Sequence, residues 1–372
     1  MGPPHALLSF SLLFVSCSSV DRVGTLIHED GPDSPAPLIS APAELLQYLV
    51  ATQGADLVVV DPETGDIVAR RPAPSPGAPL DLSVGPARDG SVWIAGRTTQ
   101  DEDLGGEQLL FSFDETSGLS EPRSLGRIEG STATLALPFG VVVAQADMGE
   151  RWRLLPAIGG FTPSVACGLP RSVRHISDDA SGVRVEALSF WPENQLSLLD
   201  VTIAPDRVVR CDAKAVVGMP PPSDGIRLVE LGVGYSRALA DVIDEELVIS
   251  ALDGEEVVST GILKVISSRL VSIERREVEG GVATLVMLGA EPTVVAVVDV
   301  RLDDGAITAA LRELHRIDAS IGPASRALGG FLATISGDIF VATEEGVVVI
   351  ANEDPPVLPD GLRGPIAAIT IE

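Results

Sequence analysis

Histidine, cysteine and carboxylate side chains most often hold metals or move protons, and this chain supplies them unevenly: four His, three Cys and 53 Asp plus Glu in 372 residues. Their spacing builds no compact catalytic signature. The sequence contains no G-x-S-x-G elbow, H-E-x-x-H motif, phosphate-cradling Walker loop or paired C-x-x-C. His28, His175 and His315 have no ligand or triad neighbour in sequence, so each reads as a surface or hydrogen-bonded imidazole. Asp101-Glu102-Asp103-Leu104-Gly105-Gly106-Glu107 has the acid density for Ca²⁺ but lacks the alternating ligand ladder and closing bidentate Glu of an EF-hand. It reads as a solvated acidic loop, as do Asp303-Asp304 and Glu344-Glu345 at turn positions. No catalytic, cofactor-binding or metal-binding residue is assigned, and no cofactor is expected. A metal site drawing one residue from each of several repeats would leave no trace in sequence spacing.

Charge and composition narrow the function classes. Acids outnumber bases 53 to 26, for a formal net charge of −27. A phosphate backbone is bound by replacing its counterions with Lys and Arg, so nucleic acid is excluded as a partner class. The only lysines are Lys214 and Lys264. A hydrophobic fraction of 45% argues against disorder despite the charge. With aromatics at 4%, the core must be built from Val, Leu, Ile and Ala, which suits thin sheets stacked face to face.

The N-terminal residues read as an export signal rather than as fold. Ala6 to Val15 is an apolar run of roughly ten residues, too short for a membrane-spanning helix and the right size for a signal-peptide core. It leads into Leu13-Phe14-Val15-Ser16-Cys17, which resembles the bacterial lipobox. That resemblance implies lipidation of Cys17 and cleavage before it. Phe14 stands where Leu is usual, and the leading segment has no Lys or Arg, so an ordinary cleaved signal with an incidental Cys is the alternative. Ser18-Ser19, with no Asp beside the Cys, implies outer-membrane sorting under the enteric rule, with the domain facing the periplasm or the cell surface. Residues 18–44 carry Asp30-Gly31-Pro32-Asp33-Ser34-Pro35-Ala36-Pro37 and Ala41-Pro42, the composition of an extended, solvated tether. The expected organisation is a signal at 1–17, a Pro-rich tether at 18–44 and one folded domain at 45–372.

That domain keeps repeating a short Val/Ile/Leu run, an Asp-and-Gly turn and a second alternating run. The clearest copy is Leu57-Val58-Val59-Val60-Asp61-Pro62-Glu63-Thr64-Gly65-Asp66-Ile67-Val68. Others lie at Leu109 to Asp114 with Gly118, at Leu247-Val248-Ile249 with Asp253-Gly254, and at Val294 to Val300 with Asp303 to Gly305. Third strands marked near Leu57, Leu109, Trp152, Leu196, Leu247, Val294 and Val347 are spaced by roughly 42 to 53 residues, the range of a four-stranded propeller blade. The predicted fold is all-β: one β-propeller, most simply of seven four-stranded blades, with six and eight as the neighbouring counts. Ser236 to Glu245 and Ile307 to His315 have helical periodicity but also read as strands with flanking loops. Pro365 to Ile371 is a strand without partners in its own unit, and the unit starting at Leu46-Gln47-Tyr48-Leu49-Val50 lacks an innermost strand. Joining the two closes the ring and pairs edges that would otherwise invite aggregation.

Asp61, Thr64 and Gly65, framed by Val58-Val59-Val60 and Ile67-Val68, resemble the A-x-D-x-x-T-G-x-x-x-W signature of quinoprotein-like and YVTN-type propeller repeats. The resemblance is to bacterial lipoproteins carrying such a domain and is good in one repeat. It implies that Asp61 and Thr64 lock a turn between outer strands. Ala69 or Arg70 holds the Trp position, and the likeness carries no catalytic residue.

With Cys17 lipidated, Cys167 and Cys211 remain, one repeat apart on outer strands of adjacent units. Two Cys in an exported chain often pair, but outer strands splay, so a disulfide and two buried thiols both stay open. Trp93, Trp152 and Trp191, in three successive units, are expected to pack between blades rather than to form a sugar platform. Three functions fit: a monomeric, membrane-anchored, non-enzymatic module binding a protein or envelope component; an outer-membrane assembly scaffold lipoprotein, for which eight blades are expected; and a lactonase-like or glycan-cleaving enzyme with acids or a metal at the channel.

Overall fold

Alternation decides how this chain folds, because successive side chains on a strand point to opposite faces. Runs such as Leu57-Val58-Val59-Val60 are apolar at every position, the pattern of a strand buried on both faces. A computed structural model describes residues 46–72, 81–87, 90–98, 106–146, 149–160, 162–179, 182–192, 194–219, 221–233, 235–303, 305–321, 330–351 and 355–371. The leader, Cys17, the tether with His28, Asp101 to Asp103 and Asp304 lie outside the described residues, as does the side chain of His175.

All regular structure in the described residues is strand. In chain order the strands are β1 (Leu46–Gln53), β2 (Asp56–Val60) and β3 (Ile67–Pro72); β4 (Asp81–Pro86), β5 (Val92–Thr98), β6 (Gly106–Asp114), β7 (Gly118–Leu119) and β8 (Arg123–Ile128). Next come β9 (Ser131–Leu137), β10 (Gly140–Gln145), β11 (Arg151–Pro156) and β12 (Val165–Ala166); then β13 (Ser172–Asp179), β14 (Gly182–Ser189), β15 (Ser197–Ala204) and β16 (Arg207–Ala215). β17 (Arg227–Val233), β18 (Tyr235–Ile243), β19 (Glu246–Asp253) and β20 (Glu256–Lys264) precede β21 (Arg269–Glu279), β22 (Val282–Ala290), β23 (Val294–Asp303) and β24 (Ala306–Arg316). β25 (Leu332–Ile335), β26 (Asp338–Ala342), β27 (Val347–Ile350) and β28 (Leu362–Ile371) complete the chain.

They form seven antiparallel sheets, the seven blades of a β-propeller. The two segments with helical periodicity are strands β18, laddered to β17 and β19, and β24, an outer strand laddered to β23. Four strands per blade is the rule, with two departures. In blade 2 the outer position is split between β7 and β8, both paired to β6, where Pro122 cannot donate to the ladder. Blade 7 has three strands; after β27 the chain carries Pro355, Pro356 and Pro359 and then leaves for blade 1.

Ring closure follows the expected pairing. β28 is the innermost strand of blade 1, with Leu46 opposite Ile371, Tyr48 opposite Ile369 and Val50 opposite Ala367. The two faces of each sheet feed different seams between blades. Val141 and Val143 enter the blade 2–3 core, whereas Val142 and Ala144 enter the blade 3–4 core. Seven apolar clusters result, one for each seam.

The innermost strands have an edge with no partner in their own sheet, and side chains of the preceding blade cap it. Asp81 Oδ2 accepts from Thr134 N at 3.1 Å, Ser83 Oγ from Ala136 N at 3.0 Å, and Ser172 Oγ from Leu228 N at 2.8 Å. Small polar residues early on inner strands thus satisfy backbone donors beside the axis.

Candidate functional site

The seam between blades 3 and 4 departs from the others. Around the ring β28 runs beside β4, β4 beside β9, β13 beside β17, β17 beside β21, β21 beside β25 and β25 beside β28, while β9 and β13 diverge. Here contact moves outward, to β11 and β12 against β16. Trp152, fully buried, is wedged into the core of this seam and donates Nε1–H to Gly168 O at 2.8 Å. At the outer edge Cys167 and Cys211 are joined in a disulfide with Cα atoms 5.8 Å apart. The splay of outer strands is no obstacle, because β12 is two residues long and Cys167 follows it, already turning toward blade 4.

From Cys167 the chain crosses to the axis in a tightly held segment. Cys167 N bonds Glu150 O, Leu169 N bonds Glu150 Oε2 at 3.1 Å, Ser189 Oγ donates to Leu169 O, and Arg171 N bonds Leu188 O. Gly168 is required on space alone: a Cβ there would sit 2.3 Å from Trp191 Cβ and 2.4 Å from Ser189 Oγ.

Beside this segment, at one mouth of the axis, lies a cleft of about 360 Å³ whose walls include Glu150, Leu169, Pro170, Arg171, Phe190 and Arg227. Arg227 opens β17 and is held by three carbonyls: Nε reaches Val271 O at 3.1 Å, and Nη1 reaches Gly225 O and Ile226 O at 3.1 and 3.0 Å. Its Nη2 has no hydrogen-bond partner among the described residues. Burial, then the nearby charges of Arg171 and Arg269, lower its pKa to about 10, against a pull upward from Asp241. It remains a cation at neutral pH. Arg171 stacks over Phe190 at 5.5 Å and meets the exposed Asp224 at 3.7 Å, a weak pair in open solvent. Asp241, fully buried, is occupied by Ser223 N at 2.7 Å and Val242 N at 2.8 Å. Three arginines therefore stand at the entry of the inner strands of blades 4, 5 and 6, in a chain of net charge −27.

A second cavity, of about 550 Å³, lies at the opposite end of blade 3, among the β9–β10 and β15–β16 turns. Its walls are apolar, with Trp93, Phe139, Pro156 and Ile158, and Ile158 is 90% exposed. It lies where residues 157–160 and 162–164 run without regular structure before the short β12.

Two carboxyls are lifted above their ordinary range. Desolvation lifts Asp81 to about 7, against the pull of Arg97, and its Oδ1 is buried without a hydrogen bond. Desolvation also lifts Glu274, on β21, to about 7. They stand on blades 2 and 6 and share no site. An ion chain crosses blades 4, 5 and 6: Glu186 pairs with Arg237 and Arg174, and Glu230 with Arg174 and Arg275.

The turn residues singled out in the sequence form a capped hairpin. Asp61 Oδ1 accepts from Glu63 N and Thr64 N, Thr64 Oγ1 accepts from Asp66 N, and Gly65 takes φ +77° with Val357 O where a Cβ would stand. Blade 2 repeats the device with Asp114 Oδ1, Thr116 N and Ser117 N. Trp152 packs fully in the blade 3–4 seam, Trp191 joins its margin, and Trp93 lies between the blade 2–3 core and the apolar cavity. His315 meets Glu313 on β24 at 3.1 Å, and Glu344 and Glu345 are exposed at a turn. None of these residues belongs to the polar cleft. Arg171 and Arg227 of the cleft, with Arg269 nearby, carry a signal in the sequence: Arg171-Ser172-Val173, Arg227-Leu228-Val229 and Arg269-Leu270-Val271 repeat one pattern at the start of three inner strands.

No family model matches this sequence, and no curated protein does. Solved structures do resemble it. A protein of unknown function from Desulfotomaculum acetoxidans superposes with a TM-score of 0.59 at 11% identity, over 86% of this chain and 98% of that one. A protein from Lactobacillus plantarum gives 0.49 at 13% identity, over 88% of this chain and 100% of that one. Apo AztD from Citrobacter koseri gives 0.45 at 10% identity, over 88% and 98%. At such identities the likeness is one of fold alone.

Proposed function

We propose that this chain is an exported, lipid-anchored β-propeller acting as a non-enzymatic binding module, and that it presents the polar cleft at the blade 3–4 seam to a protein or envelope component. The observation carrying this reading is the cleft itself. Its cations are fixed by backbone carbonyls and an aromatic face, an arrangement that holds a ligand in one orientation. The two carboxyls with raised pKa, Asp81 and Glu274, lie elsewhere, on blades 2 and 6. The Cys167–Cys211 bond supports an oxidising compartment, and the lipobox-like Leu13 to Cys17 supports attachment to a membrane. The count of seven blades supports a binding module over the assembly scaffold, for which eight were expected.

The anchor is tested by fractionating cells that express Cys17→Ala. Release of the protein from membranes is expected; unchanged retention would remove the anchor from the reading. Deleting residues 1–44 is expected to leave a soluble monomer with an intact β circular-dichroism signal, and an aggregated product would argue against a self-contained domain.

A further inference from the structure

We propose that the polar cleft takes a small zwitterion, a carboxylate and an ammonium on one short apolar skeleton, of the free amino acid class. This rests on the binding-module reading and names the ligand of its site. The carboxylate end is set by Arg227 and Arg171. Arg227 spends Nε and Nη1 on Val271, Gly225 and Ile226 and keeps Nη2 for the cleft. Arg171 lies over Phe190, its guanidinium carbon 5.5 Å from the ring centre, and is otherwise held only by the weak, exposed pair with Asp224, which a planar two-oxygen ligand can displace. Arg269 adds charge at the same mouth, near enough to depress the pKa of Arg227. Arg171 and Arg227 line the cleft against one carboxylate, Glu150, so an anionic group meets a local excess of positive charge there in a chain of net charge −27.

Glu150 sets the other end. Its Oε2 is committed to Leu169 N, which fixes the carboxylate, and Oε1 is left to the cleft. A negative wall facing the arginines disfavours a multiply charged anion such as phosphate and favours a ligand carrying its own cation. Leu169, Pro170 and Phe190 supply an apolar side between the charged ends. A volume of about 360 Å³ admits a small metabolite.

The test is isothermal titration of the full-length protein with L-alanine, L-valine and L-leucine, and with isocaproate and isoamylamine, which are leucine without its amino group and without its carboxylate. At least one of the three amino acids is expected to bind. Leucine should exceed both singly charged analogues by at least about tenfold, the worth of one charge-assisted hydrogen bond. Arg171→Gln is expected to weaken amino acid binding by about tenfold or more. Glu150→Gln keeps an oxygen for Leu169 N and is expected to weaken leucine while leaving isocaproate equal or tighter. Arg227 also supports three carbonyls, so Arg171 and Glu150 are the informative positions, with circular dichroism confirming their folds. Silence with all three amino acids, equal affinity for leucine and its analogues, or indifference to Arg171→Gln would each overturn the proposal. Such a result, with Cys17-dependent membrane retention intact, defeats the ligand class and leaves the anchored module standing. Amino acid binding without Cys17-dependent retention does the reverse.

Discussion

The seams between blades 5 and 6 and between blades 3 and 4 solve the same packing problem differently. In the first, β17 and β21 lie side by side at the axis, and Leu247, Ile249, Leu285, Met287, Val298 and their neighbours fill the interface with medium-sized apolar side chains. In the second, the inner strands β9 and β13 do not run side by side, one large ring, Trp152, is wedged into the core, and a disulfide ties the outer edge. The regular seam keeps its inner strands in contact. The irregular one opens a cleft and still buries its core. A propeller gains a site where one wedge and one staple replace the repeated contact, and the seven-fold frame carries the rest of the stability.

Removing the wedge should have the largest effect. Trp152→Ala loses a fully buried indole and leaves Gly168 O without its donor, so a destabilisation of about 3–5 kcal/mol is expected in urea unfolding. Leu285→Ala, in the regular seam, is expected to cost about 2–5 kcal/mol by transfer and cavity terms alone. If Trp152→Ala proved the cheaper of the two, the blade 3–4 seam would not depend on its wedge. Opening the staple comes next. The bond closes a loop between residues 44 apart, and Cys167→Ser with Cys211→Ser is expected to lower stability by about 2–4 kcal/mol, read as a lower melting temperature than the oxidised parent. A matching loss in a reduced Leu285→Ala protein, but not in a reduced double serine variant, would tie the effect to this pair.

Particular residues show how much of this was legible in the sequence. The blade period was legible because every third strand begins with an apolar run: Leu57, Leu109, Trp152, Leu247, Val294 and Val347 all fall on the third strand of their sheets, and Leu196 one residue before its own. Closure was legible because Ile366 to Ile371 had no local partner. The cleft was not legible, for a physical reason. Its groups come from Glu150, Arg171 and Arg227, on three blades, and become a site only where β9 and β13 do not run side by side. Motif reading looks for ligands close in sequence, whereas a ring brings together residues one blade apart.

The blade 2–3 seam sharpens the comparison through pH. Asp81 caps Thr134 N but buries Oδ1 without a partner, and its pKa rises to about 7 because the charged form is desolvated. A raised folded-state pKa means the native state binds the proton more tightly than the unfolded chain. Asp81 therefore contributes stability that is fully present below the ordinary Asp pKa and is lost as pH rises through about 7. Asp81→Asn keeps an acceptor for Thr134 N without the charge. It is expected to flatten the decline in stability between about pH 4 and 7 and to gain about 1–3 kcal/mol at pH 8. A variant whose profile still falls across that range would assign the decline to another group.

The smallest effect is expected where the outer edge of blade 3 has given up its strand. Ile158 is 90% exposed in the irregular stretch before β12, so it buries little surface and supports no ladder. Ile158→Asp should change stability by no more than about 0.5 kcal/mol, as surface substitutions away from caps and cores do. If the chain between Pro156 and Val165 were instead held by its contacts with Trp93 and Phe139, a charge there would cost several times more and lower the melting temperature toward that of the cysteine variant. A silent Ile158→Asp beside a destabilised Cys167→Ser would place the support of this edge at the staple, near the cleft, and leave the apolar end free to vary.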